Sequence, residues 1–432
     1  MPHSAHPPVF ALHTRQGALL TLRSTDHEHL AHVFVLETDI IRVLVLPGAT
    51  LNQPHSWAIA PGQSDVASGG RDRFDLRGFA LPDYQIRHLP GQLVVETSQL
   101  RLTITLAGLR CEWQSRIDQT WYSVAADRTA QAINWGGWDH RVYHYLQHAE
   151  DQMYFGLGER SGPANRAGQR YRLSNCDADG YHASSSDPLY KHIPFYLAWQ
   201  RHSPAAVGLF YDTLADCTFD MGREVDARYG RFRSFVADHG DLDYYVIGGA
   251  TPLHIVQRYT WLTGRPALMP RWALGFNSSA TCYADAADAE TRCDDFMRGC
   301  QQHDMLCDAL QLTPGYSSIG RKPHVFHWNA KRFPDPAALM RSGLARGIRV
   351  VASITPYLYA DHPRYAEAAT LGLLIKGLDG KPDLQALRDG AGAWLDFSNP
   401  ATDRWWQAGI KNALLSVGVS ALAHEADAFR HP

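Results

Sequence analysis

The chain has 432 residues, 45% hydrophobic, 20% charged and 11% aromatic, which excludes disorder along most of its length. Lys plus Arg number 41 and Asp plus Glu 44, a net charge of −3. No cationic excess exists to hold a phosphate backbone, so nucleic acid is not an expected partner. The opening MPHSAHPPVF lacks a basic region followed by an apolar stretch, and no run approaches the roughly 18 apolar residues of a membrane span. The 7 cysteines are mostly isolated, which suits a reducing compartment. A cytoplasmic protein with no membrane partner is expected.

The length predicts two domains. The first, over residues 1–262, reads as β-structure. Val33-Phe34-Val35-Leu36, Ile41 to Leu46, Gln92 to Val95 and Leu100 to Leu106 are short apolar runs. Pro61-Gly62 and Ser68-Gly69-Gly70 punctuate them. Further runs follow at Ala206 to Tyr211, Arg231 to Ala237 and Leu242 to Ile247. Short strands with frequent turn signals predict a β-sandwich. A short helix is expected over Leu253 to Thr260.

From about residue 263 the rhythm becomes strand, helix, strand. Trp272 to Ser278 predicts a buried strand, and Ala286 to Gln302 a helix capped by Asp285. The apolar face of that helix is Ala289, Cys293, Phe296, Met297 and Cys300. Cys293 and Cys300 are read as core thiols, since a metal site would need tighter clustering. Leu306 to Leu312 is the next strand. Asp335-Pro336 caps and opens a helix that Gly347 ends. Ile348 to Ile354 is a strand, His362 to Leu371 a helix, Asn399-Pro400 the start of another, and Val419 to Ala423 the last strand. Alternation of this kind means a parallel sheet. Four such strands predict an incomplete (β/α)8 TIM barrel over residues 263–432, since a complete one has eight strands in about 250 residues.

Five segments carry a resemblance. They are Phe155-Gly156-Leu157-Gly158-Glu159 with Asn165-Arg166-Ala167-Gly168 and Asn175-Cys176-Asp177; Asp187 to Phe195; Pro270 to Phe276; Val325-Phe326-His327-Trp328-Asn329 with Arg332 to Pro336; and Trp394 to Pro400 with Trp405-Trp406. In this order they resemble glycoside hydrolase family 31, the α-glucosidase family. The resemblance implies a galactose-mutarotase-like N-terminal β-sandwich, a catalytic TIM barrel and retaining hydrolysis of α-glycosidic bonds. It implies a carbohydrate substrate and no metal or organic cofactor. A retaining glycosidase needs a nucleophilic carboxylate and an acid/base carboxyl group about 5–5.5 Å apart. The family's nucleophile is an Asp just after the fourth barrel strand, in a pattern like W-x-D-x-N-E, and its acid/base lies well downstream.

The sequence departs from that pattern. After Gly418-Val419-Ser420 the alignment sets Ala423 at the Trp, Glu425 at the nucleophile and Ala428 at the Glu. Glu425 is one methylene longer than Asp, and small misplacements are expensive in such chemistry. No counterpart of the acid/base follows. A truncated or frameshifted reading frame, inactive as it stands, is the expectation. Specificity residues differ too. Thr313-Pro314-Gly315-Tyr316 stands where relatives carry D-I-D-Y, Thr355-Pro356 where many carry D-P, and Asn329 replaces a common Asp. Lost carboxylates are lost charge-assisted bonds to hydroxyls.

The candidate substrate-binding residues are Asn175, Asp177, Thr313, Tyr316, Trp328 and Trp394, with Glu425 the catalytic candidate. Plainer readings stand beside them. Trp394 serves packing as readily as sugar stacking, Asp396 holds backbone amides at a helix start, His324 and His327 are polar loop residues, and Glu425 and Asp427 form a solvated tail. A non-catalytic carbohydrate-binding protein and a non-functional fragment remain the competing readings of the whole chain.

Overall fold

Strand patterns in the first half separate into two periods of burial. In Ile40–Leu46 every residue is buried. Ile41, Val43 and Val45 enter one apolar core, and Ile40, Leu44 and Leu46 a second on the opposite face, as the two-residue period of a strand requires. Leu100–Thr105 alternates buried and half-buried residues and sends Leu100, Leu102 and Ile104 to the first core. The computed structural model describes residues 7–135, 140–176, 178–279 and 281–424. It divides into two units, Met1–Pro266 and Ala267–Pro432.

The N-terminal unit holds three large antiparallel sheets. The eight-stranded sheet runs Phe10–Gln16, Leu19–Ser24, Leu30–Val35, Ile40–Leu46, Leu242–Gly249, Ala206–Tyr211, Phe195–Gln200 and Gln152–Gly156. A five-stranded sheet runs from Thr120–Ala126 through Arg110–Ile117, Leu100–Thr105 and Gln92–Glu96 to Gln85–Leu89. The third runs Ile133–Trp135, Val142–Gln147, Gly230–Ala237, Cys217–Asp226 and Arg170–Leu173. This is the expected β-sandwich. A helix at Pro252–Thr263 starts from Thr251, whose hydroxyl accepts the His254 amide at 3.1 Å. Its Tyr259 ring stacks on Phe195 at 3.8 Å.

Two clusters of buried charge in this unit are built from opposed groups. Arg42 donates to both Asp243 oxygens at 2.7 and 2.6 Å, and Arg73 bridges Asp243 and Asp212. Asp127 accepts from His144 Nε2 at 2.9 Å, and His144 Nδ1 accepts from the Tyr211 hydroxyl at 3.0 Å. Removing one member of such a buried pair leaves an unmatched charge at a cost of about 3–5 kcal/mol.

The C-terminal unit is built on four parallel strands in chain order, β1 (Asn277–Ser279), β2 (Ala309–Leu312), β3 (Arg349–Ile354) and β4 (Ala421–His424). The connections carry three longer helices, α1 (Ala289–Gln302), α2 (Pro336–Ala345) and α3 (Pro400–Ala413), and two short ones at Thr281–Ala284 and Tyr365–Thr370. Cys293, Met297 and Cys300 of α1 pack with Leu339, Met340, Val350, Trp405 and Trp406 in one core. The Asp335 side chain caps α2 through the Ala338 amide at 2.9 Å, and Asn399 caps α3 through the Ala401 amide at 2.9 Å. Gly347 ends α2 with φ 78°, a left-handed conformation that Gly adopts without strain. Between β3 and α3 the chain makes an excursion, a three-stranded sheet of Tyr357–Tyr359, Gly390–Trp394 and Gln385–Leu387. This is the expected β/α alternation of a partial TIM barrel.

Two expectations are corrected. The first barrel strand was expected over Trp272 to Ser278. Arg271–Leu274 is instead a 3-10 turn, and the strand is confined to Asn277–Ser279. Asp285 was expected to cap α1. Its amide donates to Thr281 O at 2.9 Å, so it closes the short helix Thr281–Ala284, and Asp288 holds the position before α1. No helix among the described residues is long and apolar enough to cross a membrane.

Candidate active site

Parallel strands in series leave their carboxyl ends on one side, and the loops that follow them define a common face. A cleft of about 470 Å³ opens there. Thr281 and Asp285 come from the segment after β1, Thr313 to Gly315 from the loop after β2, and Thr355 with Tyr357 from the loop after β3. Arg321, Arg332, Arg388 and Asp389 complete much of its wall.

Arg332 is held in place. Its Nη1 donates to Gly315 O at 3.2 Å and to Ser318 Oγ at 3.1 Å, and lies 3.8 Å from an Asp285 oxygen. Asn329 orders the same loop, donating from Nδ2 to Ser318 Oγ at 3.1 Å and accepting the Lys331 amide at 3.1 Å. An amide here does both tasks, donor and acceptor, which a carboxylate could not. Tyr357 meets Trp394 edge to face at 5.4 Å and Tyr359 at 5.5 Å. The cleft therefore offers an aromatic wall, a carboxylate and a tethered guanidinium, groups suited to a polyhydroxylated ligand.

Beside the cleft, His324 is 2% exposed, with its ring 5.3 Å from His362 and 5.8 Å from Tyr359. Burial is the main reason its pKa drops to about 4, with the neighbouring His362 adding to the effect. His362 donates from Nε2 to Val325 O at 2.9 Å and accepts the Arg364 amide at Nδ1. His324 lies in a loop, as expected of it, and is buried there.

The sequence candidates fall in different places. Thr313 lines the cleft, and its Oγ1 is buried without a hydrogen-bond partner among the described residues. Tyr316 is fully buried, with its ring 4.8 Å from Trp328. Trp328 donates from Nε1 to Ala413 O at 2.8 Å, tying the loop to the end of α3. Tyr316 and Trp328 thus support the wall from behind. Trp394 is 9% exposed and packs with Tyr357, Tyr359 and Leu387. Asn175 is exposed in the segment after Arg170–Leu173 of the N-terminal unit. Asp177 and Glu425 lie outside the described residues, as do Asp427 and Ala428. Asp396 accepts the Ser398 amide at 3.0 Å, in the turn just ahead of α3, whose start is capped by Asn399 instead. Sequence reasoning missed Asp285, Tyr357, Arg388 and Asp389. Tyr357 had a signal, its place just after a barrel strand. Arg388 and Asp389 reach the cleft from the excursion after β3, and nothing local announces that.

Comparison with known proteins bears on this arrangement. Residues 30–220 match the glycosyl hydrolase 31 N-terminal galactose mutarotase-like domain, and residues 266–428 the glycosyl hydrolases family 31 TIM-barrel domain. The chain belongs to glycoside hydrolase family 31. Among curated family 31 relatives, α-xylosidase XylQ of Lactiplantibacillus pentosus is 28% identical over 354 residues, 79% of this chain and 44% of that protein. α-Glucosidase 2 of Bacillus thermoamyloliquefaciens is 30% identical over 259 residues, 60% of this chain and 31% of that protein. The chain thus spans less than half the length of these relatives. Among solved structures, the family 31 dextranase FjDex31A of Flavobacterium johnsoniae, complexed with glucose, superposes with a TM-score of 0.81. The sequences are 21% identical, and the match covers 98% of this chain and 48% of that one. At that identity the likeness concerns the fold.

Proposed function

We propose that this family 31 chain supplies the sugar-binding face of an α-glycoside-hydrolysing site, for α-linked glucosides or xylosides. The observation that carries the reading is the cleft on the carboxyl side of β2 and β3, where barrel enzymes keep their chemistry. Asp285 and Arg332 are the groups assigned to sugar hydroxyls, and Tyr357 the aromatic wall. The named activities of XylQ and α-glucosidase 2 support this substrate class. In the whole protein the reaction would retain anomeric configuration, through a glycosyl-enzyme ester and its hydrolysis.

The 432-residue polypeptide by itself is proposed to bind sugar without cleaving it. Glu425 is its nucleophile candidate, and the resemblance sets the acid/base beyond it. A cytoplasmic setting is part of the reading, supported by seven free cysteines. The test is paired: calorimetric titration with maltotriose and turnover of 4-nitrophenyl α-glucoside and α-xyloside. Binding weakened by Asp285→Asn, with no turnover, is the expected result. Turnover abolished by Glu425→Gln would overturn the non-hydrolysing part, and absence of any binding that Asp285→Asn weakens would overturn the site.

A further inference from the structure

The N-terminal unit contains a second cleft, of about 480 Å³, lined by Trp135, Asn52, Gln53, Arg141, His140 and His239 among others. That volume lies within the roughly 300–1,000 Å³ of small-molecule sites. We propose that this cleft is a carbohydrate-binding site for a short neutral saccharide. The assignment is independent of the barrel site.

Three strand ends and one loop make the cleft. Trp135 ends the strand Ile133–Trp135 and pairs with Val142, and Val142 pairs in turn with Ala237, so the 238–240 turn lies beside it. The opposing loop at residues 52–53 is fixed by a buried carboxylate. Asp241 accepts the Asn52 amide at 2.9 Å, the Asn52 side-chain Nδ2 at 2.7 Å and the Gln53 amide at 3.2 Å. Burial raises the Asp241 pKa, and those three donors oppose the rise. Gln53 O further accepts Arg73 Nε at 2.7 Å, and Arg73 is anchored in the buried pair with Asp212 and Asp243. Trp135 is braced by the His29 ring, edge on at 4.7 Å. His29 Nδ1 in turn accepts the Gly48 amide at 3.2 Å. Both walls are thus held before any ligand arrives, which lowers the entropic cost of binding.

The chemistry of the lining favours a sugar. An indole suits the C–H-rich face of a pyranose, while amides and imidazoles exchange hydrogen bonds with hydroxyls in both directions. Asn52 spends Nδ2 on Asp241, which leaves its carbonyl as acceptor, and Gln53 accepts Arg73 Nη2 at 3.3 Å, which leaves its NH2 as donor. The cations are the argument for an anion instead. Arg141, however, lies 3.6 Å from an Asp238 oxygen, which offsets its charge.

The test uses the 432-residue protein and calorimetric titration with maltotriose, isomaltotriose, galactose and inorganic phosphate. Expected is one class of saccharide binding that Trp135→Ala weakens at least tenfold and His239→Ala weakens measurably. Circular dichroism melts of both variants should match the parent, and Asp285→Asn should leave this class intact. Survival of the class in Asp285→Asn with loss of all other binding would uphold both sites, whereas survival of the class with no other binding that Asp285→Asn weakens would uphold this site and count against the barrel site. Saccharide binding untouched by both Trp135→Ala and His239→Ala, or phosphate binding without saccharide binding, overturns the proposal.

Discussion

Gly315 and Asp285 are in contact at the cleft wall: a methyl group on Gly315 would sit 1.4 Å from Asp285 Oδ1. No side chain larger than hydrogen fits while Asp285 keeps its place beside Arg332. Gly315→Ala therefore drives the carboxylate aside. Asp285 is half exposed, so it can swing into solvent cheaply. The expected outcome is a small stability change, within about 1 kcal/mol, with maltotriose affinity at the barrel cleft reduced as far as in Asp285→Asn. Melting curves beside calorimetric titration of both variants check this. A large loss of stability in Gly315→Ala would show that the backbone, not the carboxylate, yields.

Trp328 is placed to hold the loop rather than the ligand. Its indole N–H is committed to Ala413 O, and its ring lies against Tyr316 and Phe333. Trp328→Phe keeps most of the packing and loses the hydrogen bond, a cost of about 1 kcal/mol. Trp328→Ala adds a cavity, for about 3–5 kcal/mol. Denaturant unfolding measures both. Saccharide affinity of Trp328→Phe, at a temperature where it is folded, should equal that of the parent.

What could be read from the sequence was local. The all-apolar Ile40–Leu46 and the alternating Leu100–Thr105 declare strands because burial has a two-residue period. Asp335-Pro336 and Asn399-Pro400 declare helix starts because capping is a contact between near neighbours. What was missed depends on distant partners. The Phe276 amide donates to Asp308, 32 residues on, at 3.1 Å, which helps to fix where β1 begins. Leu306 was expected inside β2 but is 89% exposed, and the strand starts at Ala309. His324 is buried because the excursion after β3 brings Tyr359 and His362 onto it. Of the candidate site residues, Thr313 follows from its place just after β2. Asp285 and Arg388 could be found only once the loops were in space.

Acid should weaken the fold through two histidines. His324 and His32 both have pKa values lowered to about 4, in each case chiefly by burial, with Arg42 contributing at His32. The unfolded chain takes up a proton at each near pH 6.5, while the folded chain resists until about pH 4. Their contribution to stability is thus complete above pH 6.5 and falls as pH drops from 6.5 toward 4. Urea unfolding between pH 7.5 and 4.5 should show that slope. His324→Leu and His32→Leu should each flatten it, since leucine does not titrate. A slope identical in both variants and parent would assign the loss wholly to carboxylates.

Thr313 poses the sharper question, because it lines the cleft while its hydroxyl is shielded. The Oγ1 atom is buried and has no hydrogen-bond partner among the described residues. A buried polar atom of this kind costs about 1–3 kcal/mol. Thr313→Val replaces it with a methyl of the same shape. Stability should therefore stay level or rise by up to about 1 kcal/mol, measured by denaturant unfolding. If the side chain is only wall, maltotriose affinity stays within twofold of the parent, which is the expected outcome. A fivefold or larger fall, roughly the worth of one hydrogen bond, would mean that the hydroxyl turns to meet the sugar. Thr313 would then take part in recognition at the position where relatives carry the first Asp of D-I-D-Y.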